Sequence, residues 1–250
     1  MSVISVVSLA YCCYSEVRGE HLQYSKFWNV NLQKKKKKTI EKEVTVPSRT
    51  GMLILYTPAF LAGLASFAIF PHEGLRFMLV DSALTIHFFK RVLEVLFIHK
   101  YSGRMVLDSN IPITFSYFIS TVTMIYAQHL TQGVPEPEFD LKYIGIVLFL
   151  VGIGGNFYHH YLLSKLREKS DQGYKIPKGG MFNLVICPHY LFEILGFVGV
   201  SFISQTLYSF SFLMGTILYL MGRSYVTRKW YLSKFENFSK EVKCLIPYVF

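Results

Sequence analysis

The sequence predicts an all-α membrane protein, a bundle of six to seven transmembrane helices. Three observations predict it. Of the 250 residues, 52% are hydrophobic and 16% aromatic, more than a soluble domain of this length normally carries. The apolar excess sits in blocks of roughly 18–23 residues, about the length a helix needs to cross a bilayer core. Basic and non-basic connections alternate along the chain, the pattern of a multi-spanning protein with its positive loops on the cytosolic side.

The chain opens on "MSVISVVSLAYCCY", apolar but without a basic n-region or an A-x-A cleavage pattern. It is expected as the tail of a first span rather than as a secretory signal. Six apolar blocks follow, at 51–70, 77–98, 111–129, 143–163, 181–203 and 205–222. The first connection, within a basic segment at 15–50, holds Arg18, Lys26, the run Lys34–Lys38, Lys42 and Arg49. The second has Arg76 at its edge, the third Lys100 and Arg104, and the fourth, "QGVPEPEFDLK", is acidic. The fifth is basic again (Lys165, Arg167, Lys169, Lys175, Lys178), the sixth is uncharged, and the tail carries Arg223, Arg228, Lys229, Lys234, Lys240 and Lys243.

With seven spans this places the N-terminus in the lumen and the C-terminus in the cytosol. The net charge of +10 is therefore a topology signal and not a nucleic-acid footprint. The lysine run is expected as a solvated cytosolic loop near anionic headgroups. Cys12, Cys13, Cys187 and Cys244 have neither metal nor disulfide spacing. Among eight histidines, His159-His160 is the one close pair, so no metal site is expected. A single domain over 1–250 is the simplest organisation.

Ionisable side chains inside apolar spans are costly and mark function. In "TIHFFKRVLEVLFIHK", His87, Lys90 or Arg91, and Glu94 share a helical face. In "GNFYHHYLLSKLR", Asn156 and His160 lie four apart, with Arg167 two turns on. His189 and Glu193 repeat that spacing, and Arg223, Thr227 and Tyr231 form a further row. Each stripe sits near an expected cytosolic end, so together they imply a polar pocket opening towards the cytosol. The "KIPKGG" loop before the fifth block offers lysines, glycines and a helix start, features suited to phosphates. Arg167, Arg223 and Arg228 would add charge-assisted contacts. The next spanning helix is expected to start at 181, directly after the glycines.

The segments "GNFYHHYLLSKLR…GYKIPKGGMFNLVICPHYLFE" and "GRSYVTRKWYLSKFENFSKEVKCLIPYVF" resemble the C-terminal domain of the steroid 5α-reductase family. That family includes the very-long-chain trans-2-enoyl-CoA reductases, and the likeness runs from about residue 80 to the C-terminus, nearest to plant steroid-reductase-like members. The resemblance implies a seven-helix protein of the endoplasmic reticulum membrane that uses NADPH to reduce a double bond conjugated to a carbonyl. Carried over residue by residue, it implies cofactor contacts at Asn156, His160, Arg167, Tyr174, Lys175, His189, Glu193, Arg223 and Tyr231. Within this set His160, Lys175 and His189 depart from the steroid-reductase pattern of aspartate, arginine and asparagine.

The steroid reductases resemble one another in a glutamate where Tyr56 stands and a tyrosine where Phe88 stands. "HFFKRVLEVLFIHKYS" instead looks like the enoyl-CoA reductases, whose catalytic lysine and tyrosine match Lys90 and Tyr190. The expected substrate is lipid-like: an enoyl thioester is favoured over a 3-oxo-Δ4 steroid, with fatty-acid elongation enzymes as partners of that branch. Tyr190, Lys90 and Tyr56 are the expected catalytic groups. A steroid 5α-reductase proper stays open, as does an isoprenylcysteine-type membrane methyltransferase, which shares a polar-studded last helix and a similar tail.

Overall fold

The computed structural model describes residues 1–20, 44–101, 103–166 and 174–250. Seven α-helices run through them: α1 (Ser2–Arg18), α2 (Ser48–Ile69), α3 (Leu75–Leu93), α4 (Leu107–His129), α5 (Lys142–Lys165), α6 (Pro188–Ser204) and α7 (Leu207–Lys234). The apolar blocks thus mark α2 to α7, and the opening stretch forms α1. α2 and α5 are long and apolar enough to cross a membrane, and α6 is a shorter apolar helix. In α3 ionisable residues dilute the apolar run: it holds Arg76, Asp81, Lys90 and Arg91.

The helices turn apolar side chains outward and several polar ones inward. Ile54, Leu61 and Leu64 on α2, and Ile144, Val147 and Leu150 on α5, are exposed. Glu16, Asp81, Glu94, Asn156, His160 and Arg223 are buried. Between them lies an apolar core in which Phe77 and Leu84 meet Met124, Phe197, Val200 and Phe212.

α5 and α6 make the closest helix pair. A Cβ on Gly152 would come within 2.3 Å of the Gly196 backbone nitrogen, and one on Gly199 within 2.4 Å of the Phe149 nitrogen. Two backbones can approach this far only where glycine leaves room.

The two ends of the bundle differ. At one end the α4–α5 connection is fastened by Arg76, which bonds Glu136, Asp140 (2.8 Å), the carbonyl of Ile203 (2.7 Å) and Gln205. Asp140 is pulled down to about 2 by its bonds to Lys142 and Arg76. At the other end Lys100 and Lys175, from two of the basic connections, border a cavity.

Two local features depart from the sequence expectation. Three-residue strands β1 (Thr45–Pro47) and β2 (Arg104–Val106) pair antiparallel and tie the α1–α2 connection to the α3–α4 connection. The sixth helix starts at Pro188, not at 181. Residues 180–183 form a 3₁₀ turn, and 184–187 pair with the tail instead: Ile186 N donates to Lys243 O at 2.9 Å and Lys243 N to Leu184 O at 2.9 Å. Proline also disfavours helical geometry at Cys187 before it and is at home in a first helical turn. The lysine run Lys34–Lys38 and Arg167 lie outside the described residues.

Candidate active site

A cavity of about 290 Å³ opens where α2, α3, α5, α6 and α7 converge. Tyr56, Arg91, His160, Tyr174, Lys175, His189, Tyr190, Glu193, Arg223, Thr227 and Tyr231 all line it. The stripes on α3, α5, α6 and α7 are therefore brought together, as their spacing implied.

Glu94 organises the α3 side. It begins a π turn, Glu94–Ile98, that widens the end of α3, a distortion often found at functional sites. Its fully buried carboxylate meets Lys90 at 3.1 Å, Arg91 at 2.8 Å and His160 at 3.0 Å. The two cations offset the cost of burying this charge. His99, in the following loop, is 3.9 Å from Glu94, and burial pushes its pKa down to about 3, so it is neutral. Glu94, His99 and His160 each bring a ligand-type atom within 4.8 Å of the others. Arg91 and Lys90 already oppose the carboxylate, so the cluster reads as an ion-pair hub rather than a cation site.

The two neighbouring cations have different tasks. Arg91 faces the cavity, donates from Nη2 to Tyr56 Oη at 2.5 Å, and lies 4.6 Å from the Tyr56 ring centre. Lys90 is absent from the cavity wall: it donates to Asn156 Oδ1 behind it. Asn156 in turn donates to His189 O at 2.7 Å and lies 3.4 Å from Glu193 Oε2. Lys90 and Asn156 thus form a brace that joins α3 and α5 to the start of α6. His87, on the same α3 stripe, packs against Phe88 and Phe197 and not into the cavity.

On the α6 and α7 side, the His189 ring lies tilted, 5.3 Å from His160 and 4.3 Å from Tyr190 between ring centres. Tyr231 is buried among Ile186, Cys187, Phe238 and Val242. Arg223 bonds Glu16 of α1. Arg228 is turned away from the phosphate task expected of it: it holds the tail through Val242 O and Lys240 O, each at 2.6 Å.

The glycines of the basic loop serve a turn. Gly179 and Gly180 take φ of 86° and 51°, the left-handed region where glycine is at home. A Cβ on Gly180 would meet His159 Nε2 at 2.8 Å. His159 Nδ1 lies 2.7 Å from Gly155 O and its Nε2 accepts from Met181 N at 3.2 Å, so the proton sits on Nδ1. His159 is thus a structural clamp for the loop, while its neighbour His160 faces the cavity.

Sequence reasoning missed Glu16 and the contact of Arg91 with Tyr56. A lone glutamate near the end of an apolar stretch was the signal for the first. For the second, the signal was the adjacent pair Lys90-Arg91, whose two side chains leave a helix in different directions.

The model of the 3-oxo-5-alpha-steroid 4-dehydrogenase family matches residues 106–250. The chain is 30% identical to 3-oxo-5-alpha-steroid 4-dehydrogenase 1 of Macaca fascicularis over 83% of this chain and 81% of that protein. It is 38% identical to steroid 5-alpha-reductase DET2 of Gossypium hirsutum over 42% of each. With the very-long-chain enoyl-CoA reductase of Dictyostelium discoideum it shares 31% identity over 66% of this chain and 55% of that protein. A match over more than half the chain, and a relative aligned over most of its own length, lead to one conclusion: this chain belongs to the 3-oxo-5-alpha-steroid 4-dehydrogenase family, oxidoreductases that act on CH–CH groups.

Proposed function

We propose that this protein reduces a carbon–carbon double bond conjugated to a carbonyl in a lipid-like substrate, with NADPH as the reductant. The observation that carries the reading is a single cavity with two unlike sides. One side presents a tyrosine hydroxyl held by a buried arginine, Tyr56 with Arg91. The other presents Lys175, Glu193, Arg223 and Tyr231.

The donor chemistry of the second side fits a dinucleotide. Lys175 and Arg223 suit phosphates, Glu193, with Asn156 supporting it from behind the wall, suits an amide, and His160, Tyr174, His189 and Tyr231 supply ring faces and edges. By family resemblance Arg167 joins them. When bound, NADPH supplies a hydride to the carbon β to the carbonyl. The protein has to stabilise the negative charge that then gathers on the carbonyl oxygen. Tyr56 is placed for this: Arg91 donates to its oxygen, which leaves the phenol a donor and strengthens it as one. Tyr190 is the acid for the α-carbon. Lys90 acts at one remove, by holding Asn156.

An enoyl thioester is the favoured substrate, because Tyr56 and Phe88 stand where steroid reductases carry a glutamate and a tyrosine. Fatty-acid elongation enzymes would then be its partners. The second reading, a steroid 5α-reductase, is supported by the macaque steroid enzyme aligning along most of the chain. Family membership sets aside the methyltransferase alternative.

All seven helices are proposed to cross the endoplasmic reticulum membrane, with the N-terminus lumenal and the C-terminus cytosolic. Two features support this: the helices expose apolar side chains, and Lys100 and Lys175, from two basic connections, border the cavity. The test is NADPH consumption by the purified protein with trans-2-enoyl-CoA or a 3-oxo-Δ4 steroid. Turnover of one and not the other assigns the branch; turnover of neither refutes the reading.

A further inference from the structure

We propose that Glu16, in the first helix, is a positioning residue for the cofactor side of the cavity, acting through Arg223. The inference rests on the reading above, that Arg223 meets an anionic part of the cofactor. α1 lies outside the region that the family model matches, yet its carboxylate reaches the cavity wall.

The geometry is specific. Glu16 is 0% exposed and Arg223 2%, and Glu16 Oε1 accepts from Arg223 Nη1. α1 runs parallel to α7, in register along its length. Ser5 Oγ lies 3.1 Å from Tyr208 Oη, and a Cβ on Gly222 would come within 2.6 Å of Cys13 Sγ. The helix contact thus fixes where residue 16 meets residue 223, and the ion pair then fixes where the guanidinium points.

A guanidinium carries five donors in one plane, so a carboxylate on Nη1 sets the plane without exhausting it. Arg223 borders the same cavity as Lys175, Thr227 and Tyr231. Glu16 stands behind that wall, so the ion pair fixes a side chain that the cavity itself presents. Glu16 keeps the cation in place before any anion arrives, which lowers the ordering cost of binding. It also lowers the local positive charge, so that the site holds a phosphate without permanently attracting other anions.

The test is a double-mutant cycle on the full chain in detergent, with E16Q, R223Q and the double variant. NADPH dissociation constants are read by fluorescence titration, alongside kcat and thermal midpoints. E16Q is expected to weaken NADPH binding about tenfold, or about 1.4 kcal/mol, with kcat within about twofold. R223Q weakens it at least as much, and the double variant is no weaker than R223Q alone, because coupled residues are non-additive.

If R223Q weakens binding and E16Q does not, Glu16 has no positioning role although the cofactor reading stands. If neither variant alters binding, the cofactor reading fails and the proposal with it. Additive losses in the double variant overturn the proposal too, since Glu16 would then act by another route. Should E16Q fail to fold, E16D keeps the charge but shortens the reach. A rise of about threefold or more in its dissociation constant supports the role, and an unchanged constant overturns it.

Discussion

Adding one methyl group at Gly152 should damage the site from a distance. An alanine Cβ there would sit 2.3 Å from Gly196 N, 2.6 Å from Gly196 Cα and 2.8 Å from Phe192 O. All three are backbone atoms of α6, so no side chain can give way and the helix itself must move. Carbon contacts settle near 3.5 Å, which calls for a separation of about 1 Å. Overpacking of this kind costs about 1–3 kcal/mol.

The same shift reaches the cavity, because Asn156 lies one turn along α5 and donates to His189 O at 2.7 Å. A further ~1 Å takes that bond out of range, and a misplacement of this size can cost about 10²-fold in rate. Gly154 provides the control. Nothing lies within 4 Å of a Cβ there, so G154A should gain up to about 1 kcal/mol of helix propensity and keep full activity. Thermal unfolding in detergent and the rate of NADPH oxidation, measured on both variants, decide the matter. If G152A matches G154A in both, the close approach of α5 and α6 does not hold the site, and the reasoning fails.

Three further outcomes are expected. Y56F should lower kcat by about 10²–10³-fold, the usual loss of an oxyanion donor, with an unchanged thermal midpoint; full activity would remove Tyr56 from the mechanism. E94Q removes the carboxylate that Arg91 and Lys90 contact directly and should cost about 3–5 kcal/mol of stability, read from denaturant unfolding. His99 titrates near 3 when folded and near 6.5 when unfolded. Between those values the unfolded chain binds the extra proton, so stability should fall as pH drops, by up to about 1.4 kcal/mol per unit. H99Q should flatten that slope, and an unaltered slope would show that His99 does not cause it.

The positions of six helices were legible because block length and loop charge both report on helix placement. The start of α6 was not. "MFNLVI" is as apolar as a helix, yet it begins as a 3₁₀ turn and then bonds Lys243 in the tail, a contact with no local signature. The cavity-lining residues of α5, α6 and α7 followed from four-residue spacing, which places side chains on one face regardless of context. Choosing between Lys90 and Arg91 needed the actual direction of each side chain. Glu16 stood out as a lone glutamate in an apolar stretch, but its partner did not, because it lies 207 residues away.

The pairing of 184–187 with 243–244 also sets an order of assembly. Those tail residues are synthesised after all seven helices, so until then the segment leading into α6 has no strand partner. The backbone N–H groups of Tyr190 and Leu191 both donate to the carbonyl of Cys187, the residue that the tail holds through Cys244 O. The start of α6, with His189, Tyr190 and Glu193, therefore leans on the tail as well as on Asn156. A chain without the tail would keep its seven helices but lose the bonds that hold Ile186 and Cys187 in the cavity wall.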